Sequence, residues 1–359
     1  LGSGLGSGLG SGLGLGLGLV VLLQVLGADV LDGHAPLLLG TVVTNVHAVV
    51  FKIATVSPDG SLWMRSLRQA ATDITASTEG RVTFKFYPGG VMGDDKVVIR
   101  KIRLGQLHGA VMTIGALEQT YSDIQLYNLP MVFRSLDEVD YVRDRMDSVL
   151  VSGLKEHGFV AFGFAEVGFA YAMSRVLVSA VADVQAQKVW VPDGDEGAKR
   201  TLVSFGIAPV PLSIADVLSG LQTGLINGVA VPPVAAIALQ WHTQLEYVLD
   251  LPFMYIYGTF VIHEPRFAKL SQADQAVVHA VMGKLVRDVN ARNRKDHERA
   301  VKVLQAQGLA WHAPQTGEIV EWQTYADQAS IDLVDDGIVS EALYEALIEN
   351  LTAYRESVD

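Results

Sequence analysis

The sequence predicts a mixed α/β protein of two lobes braced by one long helix. Three observations carry this. Short β-branched or aromatic runs alternate with amphipathic helical stretches from Val49 to Val231, the spacing of βα units. The series falls into two groups, one before and one after the apolar run Phe159–Ala165 (FVAFGFA). A helical pattern then runs unbroken from Ser271 to Gly308, roughly 55 Å at about 1.5 Å per residue, longer than one domain is wide. The 359 residues suffice for two domains and a sizeable core.

The first group opens with Val49–Val56 (VVFKIATV), a β-branched strand. Asp59-Gly60-Ser61 caps a helix that buries Leu67, Ala70, Ala71 and Ile74 and stops at Gly80. Arg81–Tyr87 alternates strictly, with Val82, Phe84 and Phe86 on one face of a strand. Pro88-Gly89-Gly90 breaks it. Asp94-Asp95 opens a basic helix closed by Gly105, and His108–Ile114 reads as a buried strand. Ser135-Leu136-Asp137-Glu138 has the spacing of a capping box for a helix reaching Glu156. The second group follows as strand Lys188–Val191, a helix near Glu196–Phe205, strand Ile207–Leu212, a helix near Ile214–Thr223 and strand Leu225–Val231. This alternation implies parallel or mostly parallel sheets. Two shorter amphipathic helices finish the chain.

Composition narrows the function. Hydrophobic residues are 50% and charged residues 18%, the balance of a globular chain. The formal net charge of -12 argues against nucleic acid or an anionic membrane surface as the main partner. Without cysteine, disulfides, thiol catalysis and Cys-ligated metal centres are excluded. Residues 1–48 stand apart: Leu-Gly and Ser-Gly repeats lead into the apolar Leu19–Leu26, and about Leu13 to Leu26 resembles the apolar core of a secretory signal. Gly27-Ala28 and Val46-His47-Ala48 are candidate cleavage sites, although no Lys or Arg precedes the apolar run. The expectation is an exported, periplasmic protein. No later stretch has the roughly 18–20 apolar residues a spanning helix needs.

No enzyme constellation is present: no G-x-S-x-G, H-E-x-x-H or Walker loop, and no G-x-G-x-x-G after a strand. His108, His242 and His297 read as structural. Asp193, Asp195 and Glu196 lie between a strand and a helix, where carboxylates cap the helix and suit its dipole; a hard cation is the other use of such a trio. Arg65, Arg68, Arg100, Lys101 and Arg103 read as solvated helix faces. Two α/β lobes without catalytic groups suggest a receptor that closes a cleft on a solute.

Certain stretches resemble a known family. Tyr87-Pro88-Gly89-Gly90-Val91-Met92-Gly93-Asp94-Asp95 is similar to the YP…LGDD/E loop of the DctP-type TRAP transporter solute-binding proteins. Gly105–Gly109 (GQLHG), Leu129–Phe133 (LPMVF), Ala208–Pro211 (APVP) and Leu221–Gly228 (LQTGLING) resemble further family segments in the same order, so the likeness runs from about Phe51 to His312. The resemblance implies a two-lobe periplasmic-binding-protein-like fold crossed three times by the chain. It implies a periplasmic receptor, no cofactor, and partners limited to a small organic solute and the membrane permease. Lobe I would comprise 49–168 and 257–296, and lobe II 169–256 and 297–359.

In typical members the strand matching Lys188–Val191 reads K-x-R-V, and its Arg grips a substrate carboxylate in two-pronged fashion. Here that place is Trp190, and a second family Arg is replaced by Ala170. The family's polar D-G-x-E/Q-N-P stretch becomes Asn227–Pro232 (NGVAVP). A carboxylate buried without a cation costs several kcal/mol, which disfavours a simple dicarboxylate or a sialic-acid-like ligand. Phe169, Tyr171, Met173, Val229, Val231, Tyr255 and Tyr257 could extend an apolar pocket beside Trp190, favouring an apolar or amphipathic solute. A cationic solute, held by Trp190 with Glu166, Asp193 or Asp195, is the second choice. The residues expected to line the site by matching to the family are Ser57, Ser61, Thr113, Ala170, Trp190, Asp193, Ile214, Leu218, Val231 and Tyr257. The alternatives are a hydrolase or lyase on the same scaffold, with Glu166 or Asp195 as base, or a protein-binding module with a vestigial cleft.

Overall fold

The computed structural model describes residues 48–358. The expected export signal and both cleavage candidates fall in residues 1–48, all but Ala48 outside the described residues. The chain begins with β1 (Val49–Thr55), α1 (Leu62–Ser77), β2 (Val82–Tyr87), α2 (Asp95–Arg103) and β3 (Gly109–Thr113). The caps sit where the sequence puts them. The Ser61 hydroxyl accepts the N–H of Met64, and Asp94 accepts that of Val97. α3 (Leu136–Glu156) is capped by Ser135, but the Glu138 carboxylate closes on the N–H of Arg134 rather than of Ser135.

β4 (Phe159–Ser174) is more than twice the expected strand. Then follow α4 (Val181–Gln185), β5 (Val189–Pro192), α5 (Glu196–Ser204), β6 (Pro209–Leu212), α6 (Val217–Thr223), β7 (Gly228–Val231) and α7 (Pro233–Ala238). β8 (Tyr247–Leu249) and β9 (Met254–His263) lead through α8 (Glu264–Phe267) into α9 (Gln272–Ala306). β10 (Ala310–His312), α10 (Thr316–Asp335) and α11 (Glu341–Val358) end the described chain.

The strands form one sheet in the order β2-β1-β3-β9-β4-β7-β5-β6, with β8 joined to β4 and β10 to β8. The flanks are parallel, as the βα spacing predicts: β1 with β2 and β3, β5 with β6 and β7. The centre departs from the mostly parallel expectation. β9 runs antiparallel to both β3 and β4, and β4 antiparallel to β7. The reason is that β4 belongs to both halves. Its residues from Phe159 to Ala170 pair with β9, while Tyr171–Ser174 pair with β7. Register shifts after Ala161 and after Glu166 bend it on the way, as bulges do.

α9 has 35 residues, about 52 Å of helix. It packs on α1, on β4 and on α7, and so lies along both halves of the sheet. Alternation in β4 and β5 sorts the side chains by face. Phe169, Tyr171, Met173, Trp190, Val229 and Val231 enter the largest apolar core with Trp241, while Val189 and Val191 pack into a second core under α5 and α10.

Candidate functional site

Ligands of open α/β sheets gather beyond the carboxyl ends of parallel strands. Here β3 ends at Thr113 and β5 at Pro192, and a cavity of about 290 Å³ lies between those ends. Thr113, Gly115 and Ala116 form one wall and Pro192, Asp193, Gly194 and Asp195 the opposite one. Lys96, Arg100 and Arg103 project from α2, where spacings of four and three residues place them on one face.

Side chains already join the two walls. The Lys96 ammonium is 2.9 Å from an Asp193 carboxylate oxygen. A methyl group on Gly194 would lie 2.1 Å from Lys96 Cε, and the residue's φ of +92° is one that favours glycine. On the other side, a methyl on Gly115 would lie 1.9 Å from Asp195 Oδ2. The Gln125 amide donates to Asp195 (2.8 Å) and to Glu118 (3.0 Å), and Glu118 accepts the N–H of Gly197 at 2.9 Å.

Charge here is unevenly spent. Burial pushes the Asp195 carboxyl up to about 7; its cap on the Ala198 N–H opposes this and nearby Glu118 adds to it. Glu118 is raised as well, first by burial. Burial and the neighbouring Asp94 raise Asp95 to about 6. Asp193 is neutralised by Lys96, and Arg103 donates to the Thr120 hydroxyl at 3.3 Å.

Of the expected site residues, Thr113 and Asp193 line this cavity. Ser57 sits at the end of the β1 turn and Ser61 spends its hydroxyl on α1. Ala170 is fully buried opposite Met254. Trp190 is 8% exposed, donates its indole N–H to the Leu212 carbonyl at 3.0 Å and meets Trp241 edge-on. Ile214 and Leu218 pack at the margin of the same core, with Val231 inside it. Tyr257 is fully buried, and its hydroxyl donates to the Ile124 carbonyl.

Asp195 is the α5 cap, as the strand-to-helix position suggests. Glu166, weighed above as a cation holder or a base, is 2% exposed and held by Arg294 and the Tyr255 hydroxyl. His108 and His242 bond backbone carbonyls through Nδ1, consistent with structural roles. Arg100 and Arg103, read above as part of a solvated face, are exposed as expected and also border the cavity, on the face of α2 that carries Lys96.

Two parallel-edged α/β halves, a cavity at strand ends and a helix lying along both define the class of two-lobed solute-binding proteins. The chain belongs to the DctP family, bacterial extracellular solute-binding protein family 7, whose model matches residues 53–332. It is 21% identical over 268 residues to the sialic acid-binding periplasmic protein SiaP of Vibrio cholerae, covering 73% of this chain and 82% of that protein. It is 24% identical over 159 residues to the uncharacterized protein YiiZ of Salmonella typhimurium, a match spanning 43% of this chain and 48% of YiiZ. A TRAP periplasmic solute-binding protein of Roseobacter denitrificans with bound β-D-glucuronate superposes with a TM-score of 0.77 at 17% identity, covering 83% of this chain and 99% of that one. One from Sulfurospirillum deleyianum with bound succinate gives 0.75 at 18%, covering 83% and 97%. Among the described residues no helix is long and apolar enough to cross a membrane.

Proposed function

We propose that this chain is the periplasmic receptor of a TRAP-type transporter, taking an apolar or amphipathic organic solute and handing it to the membrane permease. Solute would enter between lobe I (49–168 with 257–296) and lobe II (169–256 with 297–359), closing them at the β4 and β9 crossings.

One observation carries the choice of solute. Where the family resemblance places two carboxylate-gripping arginines, Trp190 gives its single N–H to Leu212 and Ala170 has no polar side chain. Neither can compensate a buried acid. The cationic alternative loses support from the same geometry, because Glu166 is paired with Arg294, Asp193 with Lys96, and Asp195 is engaged by Gln125 and the α5 cap.

Calorimetric titration of the purified protein tests this. Octanoate or 1-octanol should bind with one-to-one stoichiometry, and succinate and D-glucuronate should not. Tight binding of succinate or D-glucuronate would overturn the reading. Native mass spectrometry of protein from its own periplasm should show a co-purifying solute with a large apolar portion.

A further inference from the structure

We infer that Arg100 and Arg103 of α2 are the anchoring point for an anionic head group, so that the solute is an amphipathic anion. This rests on the amphipathic reading above and names the polar end of the same molecule. α2 buries Val98, Ile99 and Ile102 in the core and presents Lys96, Arg100 and Arg103 to the cavity. The three cations are not equally available. Lys96 is paired with Asp193, and Arg103 makes one long hydrogen bond to Thr120. The Arg100 guanidinium makes no ion pair and no side-chain hydrogen bond among the described residues.

Two of the three carboxylates that line the cavity are already engaged. Asp193 is neutralised by Lys96, and Asp195 is held by Gln125 and the Ala198 N–H and, by burial, holds its proton to about pH 7. A cationic head therefore meets three positive side chains against one carboxylate without an ion pair among the described residues, Asp95, whose charge burial disfavours. An anionic head meets planar guanidinium groups that offer paired N–H donors in a fork. Their position near the C-terminal end of α2 is also where the helix dipole favours cations. The guanidinium chemistry missing at Trp190 and Ala170, neither of which lines this cavity, is thus available from α2. Ile99, Ala116 and Pro192 supply an apolar surface beside it.

Octyl compounds that differ only in the head test the assignment: octanoate, octylamine and 1-octanol, titrated into wild type and into Arg100→Gln, Arg103→Gln and the double variant. Wild type should bind octanoate about tenfold or more tighter than 1-octanol, the contribution of one or two charge-assisted contacts. The double variant should bind the two alike, and the preference in wild type should shrink with added salt. Equal binding of octanoate and 1-octanol by wild type, preference for octylamine, or an octanoate preference that survives both substitutions would overturn the anchoring role while leaving the amphipathic solute standing. Binding of succinate with none of the octyl compounds would overturn both.

Discussion

Trp190 and Trp241 meet edge to face, ring centres 5.0 Å apart at 75°, and the Trp190 N–H is committed to the Leu212 carbonyl. The indole that stands where the family resemblance expects a guanidinium is therefore a packing element with its polar tip already satisfied. Trp190→Arg inserts a cation into that apolar environment. It should lose about 3–5 kcal/mol of stability in urea unfolding, from lost packing and an unpaired buried charge. If β5 faces the solute, succinate should raise the melting temperature of the variant and leave wild type unmoved. A folded variant indifferent to succinate would place this strand outside the solute's path.

Glu166 and Arg294 form a second relationship with measurable consequences. Glu166 lies at the β4 bulge with 2% exposure, and Arg294 of α9 bonds it at 3.0 Å while also gripping Asp140 of α3. Tyr255 of β9 donates to the same carboxylate at 3.1 Å. Removing one partner strands the other, so Arg294→Met should cost about 3–5 kcal/mol. Adding Glu166→Gln to that background should restore part of the loss, because the stranded charge is gone. Strict additivity of the two substitutions in denaturant unfolding would show that the pair does not couple β4 to α9.

Asp195 makes stability depend on pH. Its carboxyl is pushed up to about 7, above the ordinary aspartate range, chiefly by burial. The native state thus holds a proton that the unfolded chain releases near pH 4, and stability falls as pH rises between about 4 and 7. The groups facing it are Glu118 and Gln125, Glu196 on its own helix, and Gly115. Asp195→Asn keeps the oxygen that caps α5 and removes the titration. Relative to the variant, wild type should lose roughly 1–3 kcal/mol between pH 5 and pH 8, the scale of desolvating one buried polar group. Parallel stability curves for the two proteins would remove Asp195 as the cause.

Much of the architecture was legible one segment at a time. Ser61, Asp94, Ser135, Asp195 and Ser271 each cap the helix their position announces, because capping is a contact between residues three apart. The long α9 was legible for the same reason, as its signal lies in consecutive residues. β4 was read only to Ala165, since Glu166 and Gly168 interrupt the apolar run where the strand bulges but continues. β9 runs antiparallel between β3 and β4, a pairing made by residues 84 to 153 positions apart that no local period announces.

The candidate site divides the same way. The sequence by itself determined the α/β class, the caps and the long helix. All of these depend on residue identity and near neighbours. Only the tertiary structure decided which charges are paired: Lys96 meets Asp193 across 97 positions, Glu166 meets Arg294 across 128, and Arg100 beside the same cavity has no ion-pair partner among the described residues. Ion pairing and burial are set by which surfaces the fold brings together, and a charge's availability to a solute follows from that rather than from its place in the chain.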